Sequence, residues 1–377
     1  MKYFKTIEWV VLATLSTTLI SGCGSGSSST PEDENDDLCY QLTNLQTDLN
    51  NDGEIDKTST YTYDSDGYII KREFDTDGDG DIEKQTLYTY DDNHNLIKQE
   101  DDKNGDGIID AVFTYTYDQN NNLIKSESDF GADGHIDYLR FYTYDDNGNK
   151  IKETSDSNGD GTIDAIRFFT YDEKNQLIKV EYDSQGDGTI NSITLYTYNE
   201  SGYILKLETD LNNDAHMDHI KLYTYDENNN LLTYQEDQNG DGTIDYLKRN
   251  TYDTNNNIIK EEFDRNGDGA IDRIYTYTYD QNNNNIKYVY DIDADGHPDM
   301  IQFNTYDENN HLIKEEYDRH ADGIIDSLYT YTYDQHGNRI TSTYEHVEDG
   351  VHDIQNFTQY EYQGFENCPS GEIIFMK

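Results

Sequence analysis

Nine-residue acidic segments recur along this chain, and the spacing of their oxygen-bearing side chains suits coordination of a hard metal cation. The pattern is Asp-x-Asn/Asp-x-Asp-Gly-x-Ile-Asp, as in Asp48-Leu-Asn-Asn-Asp-Gly-Glu-Ile-Asp56 and Asp102-Lys-Asn-Gly-Asp-Gly-Ile-Ile-Asp110. Oxygens at positions 1, 3 and 5, a glycine at 6 for a sharp turn and a main-chain carbonyl at 7 are ligands of the kind Ca2+ takes. Seven segments carry the full set with an acidic residue at position 9. They are Asp48, Asn50, Asp52 and Asp56; Asp75, Asp77, Asp79 and Glu83; Asp102, Asn104, Asp106 and Asp110; Asp156, Asn158, Asp160 and Asp164. The other three are Asp237, Asn239, Asp241 and Asp245; Asp264, Asn266, Asp268 and Asp272; Asp291, Asp293, Asp295 and Asp299. Four more are degraded: Gly131 removes a ligand after Asp129, Gln185 and Asn191 weaken two after Asp183, Ala215 replaces the turn glycine after Asp210, and His320 replaces an oxygen ligand after Asp318. The last segment, Glu345 to Asp353, has Val347 at its third position. Carboxylates this close together repel one another unless a cation sits between them. The expectation is seven Ca2+ sites with dissociation constants on the order of 10⁻⁴–10⁻³ M.

These segments occupy one place in a repeat of 27 residues, marked by a tyrosine at 63, 90, 117, 144, 171, 198, 225, 252, 279, 306, 333 and 360. Twelve copies follow one another without insertion or deletion, so each unit is expected to stack on the next in the same way. In the third copy, residues 109–117 are β-branched and aromatic and read as a strand. Asp118-Gln-Asn-Asn121 reads as a hairpin turn: the column of Asn121 holds Gly or Asn in all copies but one, where His94 stands, and those residues enter a positive φ cheaply. Asn122 to Ser128 reads as the return strand, with Ile124 as its core residue and Lys125 and Glu127 forming a ladder of opposite charges. No segment shows helical periodicity, so the fold class is all-β.

Tyr142-Thr-Tyr-Asp-Asp-Asn-Gly-Asn-Lys-Ile151 resembles the YD repeat of Rhs-type proteins, which implies hairpins laid side by side in a long, coiling antiparallel sheet. The acidic segments resemble the first half of an EF-hand loop. Position 12 holds Ser59, Thr86, Phe113, Arg140, Arg167 and Thr194 in the first six copies, so the closing glutamate of a helix–loop–helix site is missing. With strands on both flanks, the segment is more similar to the calcium loops of FG-GAP repeats, whose ninth residue supplies the closing carboxylate. At the N-terminus, Lys2 and Lys5 precede a short apolar run from Trp9 to Ile20, and Ile20-Ser-Gly-Cys23 resembles the lipobox of bacterial lipoproteins. The resemblance implies a signal peptide over 1–22, a diacylglycerol on Cys23 and, with Gly24 following it, sorting to the outer membrane.

Residues 23–40 then read as a flexible acidic tether, 41–364 as the repeat array and 365–377 as a C-terminal cap segment. Twelve hairpins make about 24 strands, more than an open sheet holds without curling or closing. A curled or superhelical antiparallel sheet is expected, with a six-bladed β-propeller as the alternative. Cys39 and Cys368 flank the array, and a disulfide between them requires its two ends to meet. The net charge of −51 repels nucleic acid and anionic lipid headgroups and favours cations. No nucleophile, base or cofactor motif stands out, so no enzymatic activity is expected. The sequence points to a calcium-binding surface lipoprotein, a structural or adhesive scaffold for a protein or glycan ligand. The alternative is an envelope enzyme or toxin-handling component built on a YD-like shell.

Overall fold

Extended halves joined by a tight turn are what each unit forms. The computed structural model describes residues 39–348 and 351–365 and contains 24 strands in succession. They begin with β1 (Cys39–Asp48), β2 (Lys57–Tyr63) and β3 (Ile69–Asp75) and end with β22 (Ser327–Tyr333), β23 (Arg339–Glu348) and β24 (Val351–Phe365). Each strand pairs antiparallel with the next, and β24 pairs with β1, from Cys39 opposite Phe365 to Asp48 opposite Phe357. The sheet is a closed 24-stranded antiparallel barrel.

Closure corrects both expectations, the open superhelical sheet and the six-bladed propeller. The reason lies at the ends. Among the described residues the twelfth unit shows no return strand: Gly364, which the repeat assigns to a turn, lies within β24 opposite Tyr40. β1 supplies the missing partner, and no row of main-chain donors and acceptors is left bare at either edge. With strands about 4.8 Å apart, the circumference is at least roughly 115 Å, wide enough for an open lumen.

Two devices repeat around the ring. At each turn the aspartate closes a loop on its own backbone. Asp118 Oδ1 accepts the amides of Asn120 and Asn122 at 2.8 and 2.9 Å, and its Oδ2 accepts the Asn122 side chain at 3.0 Å. Asn121 has the expected positive φ of 62°, and His94, the odd residue of that column, adopts 63° as well. The second device explains the marker tyrosine. A register shift between Thr116 and Tyr117 turns the phenol toward the preceding unit, where it donates to the Leu96 carbonyl at 2.9 Å. The same bond ties Tyr63 to Leu42, Tyr144 to Leu123 and Tyr333 to Leu312 at 2.7–2.8 Å.

The wall is one sheet thick, so a conventional core is largely missing. Residues of the Ile124 column are only half-buried, and Leu205 in that column is 36% exposed. The charge ladder is present as within-strand pairs, such as Lys98–Glu100 at 2.7 Å and Lys179–Glu181 at 2.6 Å. The most deeply buried large side chains include Asp156, Asp183 and Asp318, the first residues of three acidic loops. Because the chain returns every second strand, all eleven loops before the β23–β24 hairpin lie on one rim. The turns, with Cys39 and Phe365, lie on the other.

Candidate metal centre

Each acidic loop leaves its strand through an aspartate whose carboxylate organises the backbone that follows. Asp102 is 4% exposed; its Oδ2 accepts the Gly107 amide at 2.8 Å and its Oδ1 the Gly105 amide at 2.7 Å. Asn104 Oδ1 accepts the Asp106 amide at 3.0 Å, and Asp106 Oδ1 accepts the Ile108 amide at 2.8 Å. At position 9, Asp110 Oδ2 accepts the Lys103 amide at 2.7 Å while its own amide donates to the Asp101 carbonyl. The ninth side chain therefore clamps the loop, a role not apparent from its spacing, and it keeps a second oxygen for other use. In Asp164 the Ser157 hydroxyl and then the Ser157 amide hold the carboxyl below the usual carboxylate range. Burial works against ionisation of Asp183, but the amides of Gly188 and Gln185 outweigh it and lower its pKa.

Among the described residues, two loops gather three or more carboxylates whose ligand atoms all lie within 4.8 Å of one another. One is Asp75, Asp77, Asp79 and Glu83, the complete set expected there. The other is Asp291, Asp293 and Asp299; Asp295 falls outside that group. Both have aspartate at position 3. The five complete loops with asparagine there, at Asn50, Asn104, Asn158, Asn239 and Asn266, share the backbone frame without drawing their three carboxylates into that radius. Such acidic groups are able to hold a metal ion.

The degraded loops keep the frame. Ala215 occupies the turn-glycine place with a φ of 72° and still donates to Asp210 Oδ2 at 2.8 Å. Asn191 accepts the Ser184 amide where the other loops use a carboxylate. His320 Nδ1 lies 3.6 Å from Asp326 Oδ2. In the twelfth segment Glu345 and Asp353 sit in the paired strands β23 and β24. His219 meets Glu236 at 2.6 Å rather than forming a pair with His216.

Position 4 escaped the sequence pattern. A Cβ on Gly105 would lie 1.8 Å from the carbonyl oxygen of Ile82, and on Gly159 1.7 Å from that of Ile136. The six loops with glycine at position 4 thus rest that residue against the eighth carbonyl of the loop before. Asn213 makes the same junction with its side chain, donating to the Ile190 carbonyl at 3.0 Å. The alternation of Gly at 78, 105, 159, 186, 240 and 267 with Asn or Ala elsewhere was the available signal.

The signal peptide over 1–22, Cys23, the tether up to residue 38, residues 366–377 and Cys368 lie outside the described residues. The backbone of Cys39 is described, opposite Phe365, so the ends of the array do meet.

No protein-family model matches the chain, and no curated protein does. Solved structures give likenesses of arrangement. The TcdB2-TccC3 structure aligns over 81% of this chain and 17% of that one, at 18% identity and a TM-score of 0.47. The Tc holotoxin pore of Photorhabdus luminescens aligns over 85% of this chain and 18% of that one, at 13% identity and a TM-score of 0.42. A porin-like protein from Bacteroides uniformis aligns over 85% of this chain and 96% of that one, at 12% identity and a TM-score of 0.23. The chain thus spans less than a fifth of the toxin-complex chains it aligns with.

Proposed function

We propose that this protein is a calcium-binding repeat scaffold, held at the bacterial outer membrane by a lipid on Cys23, which presents a structural or adhesive surface to a protein or glycan. The observation that carries the reading is the four-carboxylate group of Asp75, Asp77, Asp79 and Glu83 within 4.8 Å. Four negative charges at that spacing favour a divalent cation, and an oxygen-only set favours Ca2+ over softer metals. The net charge of −51 disfavours nucleic acid as a partner. Both faces of the wall carry charge, Lys98 with Glu100 on one and Arg167 with Glu153 on the other. Neither face suits lipid contact, which is why the reading gives attachment to the lipid. A disulfide between Cys39 and Cys368, proposed alongside, would lock the seam.

The test is calorimetry of the mature chain. Millimolar Ca2+ is expected to raise the melting temperature by several degrees over the same protein in excess EDTA. Superimposable melting curves would show that the loops do not bind calcium in the folded protein.

A further inference from the structure

Among the eleven equivalent loop aspartates, Asp291 is satisfied differently. In four of the six loops with glycine at position 4 the first aspartate's Oδ1 accepts that glycine's amide, as from Gly78 to Asp75 at 2.6 Å and from Gly267 to Asp264 at 2.8 Å; in the other two it accepts the amide of position 3, Gln185 to Asp183 at 3.1 Å and Asn239 to Asp237 at 3.4 Å. Where position 4 is Asn or Ala, Oδ1 accepts the amide of position 5 instead. Asp52 donates to Asp48 at 3.2 Å, Asp133 to Asp129 at 3.1 Å and Asp322 to Asp318 at 3.1 Å. The Asp291 loop has Ala294 at position 4, with φ 55°, yet Asp291 Oδ1 is buried without any hydrogen-bond partner. The residue is only 8% exposed, and its Oδ2 is already taken by the Gly296 amide at 3.0 Å.

This carboxylate is also the one that gathers with Asp293 and Asp299 within 4.8 Å. A buried carboxylate oxygen without a donor is costly, and two more carboxylates beside it add repulsion. A divalent cation satisfies all three at once. In the Asp75 loop both oxygens of the first carboxylate are held by the Gly78 and Gly80 amides, and the demand for a cation comes from charge count instead, with a fourth carboxylate in the group. In both loops the extra charge comes from position 3, Asp77 and Asp293, where the five other complete loops have asparagine.

We infer that the loops at Asp75 and Asp291 form a high-affinity pair that fills with a divalent cation before the five asparagine-bearing loops. The inference rests on the reading that the loops bind calcium and adds an order of filling to it. Charge count and site rigidity set calcium affinity in oxygen-ligand loops. The pair is therefore expected to bind about tenfold more tightly than the rest.

The experiment is a calorimetric Ca2+ titration of the EDTA-stripped mature chain, with terbium luminescence sensitised by tyrosine as a second readout. Two sites are expected in the first class. D77N and D293N should each remove one of them, and N104D should add one. Asparagine already stands on this frame at 50, 104, 158, 239 and 266, so the two asparagine variants should fold, which far-UV circular dichroism checks. Seven equivalent sites, or a first class unchanged in D77N and D293N, would overturn the order of filling while leaving calcium binding intact. Absence of any binding heat or luminescence in the unaltered chain would overturn both.

Discussion

In most acidic loops the fourth residue goes with the choice of amide that holds the loop's first carboxylate: its own where it is glycine, the next one where it is Asn or Ala. With glycine there, φ lies between 67° and 78°; with Asn or Ala it falls to between 50° and 56°. In four of the five loops with Asn or Ala there, the donor to that carboxylate's Oδ1 is the amide of position 5, as from Asp52 to Asp48. Gly105→Ala is therefore expected to shift Asp102 Oδ1 from the Gly105 amide to that of Asp106 rather than to break the loop. The cost should be about 1–2 kcal/mol, read as a fall in melting temperature, with slowed exchange of the Asp106 amide by NMR as the specific sign. A loss of the whole loop's amide protection would count against two interchangeable frames. At this scale much was legible: positions 1, 3, 5 and 6 follow from ligand chemistry, and position 9 from its acidity. What the residues alone did not reveal was that the ninth side chain clamps the second amide, as Asp110 does for Lys103. A hydrogen bond to the main chain leaves no mark in a pattern that already needs an acid for another reason.

Hairpin turns are the elements that make the array stiff, and they rely on ionised aspartates. The Asn149 side-chain amide, with the amides of Asn149 and Asn147, holds the Asp145 carboxyl below its ordinary pKa. Asp118, Asp226 and Asp280 are lowered in the same way, first by Asn122, Asn230 and Asn284. A carboxyl whose pKa falls on folding stabilises the fold above its unfolded value, about 3.9 for aspartate, and loses that contribution as pH drops through the folded value. Melting temperature should thus hold between pH 7 and about 5 and fall steeply below about 4. D145A should melt lower than the parent at neutral pH, and the difference should shrink as acid protonates the parent's turn; a gap constant down to pH 2 would assign the loss to something other than the charged carboxylate. These turns were readable in advance, because only Gly and Asn accept a positive φ without strain. His94 follows the same geometry through its neighbours: its amide donates to the Asp91 carbonyl at 2.9 Å, and its ring stacks on Tyr68 at 4.4 Å.

For the molecule as a whole, the hairpin and the next hairpin beside it could be deduced, but the ring could not. Twelve equal steps say nothing about where the last one ends. Coiling per unit and rise per unit are backbone quantities, and a small change in either separates a helix from a closed circle. The one hint was local: among the described residues, Tyr360 and Gly364 of the final copy lie in one strand with no return strand after it, and Cys39 to Asp48 is a return strand with no hairpin before it. Those two orphans pair. Truncation before residue 351 should therefore leave β1 and β23 each with one bare edge, and the protein should aggregate or enlarge in light scattering rather than persist as a slightly smaller monomer.

The tyrosine bond between successive units has a numerical consequence for closure. From Tyr63 to Tyr333 each link is made by one 27-residue unit to the one before it, and only the β24–β1 seam differs, so the wall's parity survives removal of a whole inner unit. Excising residues 165–191 removes the strands β10 (Ala165–Tyr171) and β11 (Leu177–Asp183) and places Ser192 after Asp164, the position Ala165 held. Twenty-two strands still alternate in direction, and the circumference shrinks by about 10 Å. Small-angle scattering should find a narrower, folded ring; an unfolded or open product would mean that the bend at each joint is fixed to a dozen. Gauge, in such a molecule, is set by counting, and the gene can count up or down without redesigning a single contact.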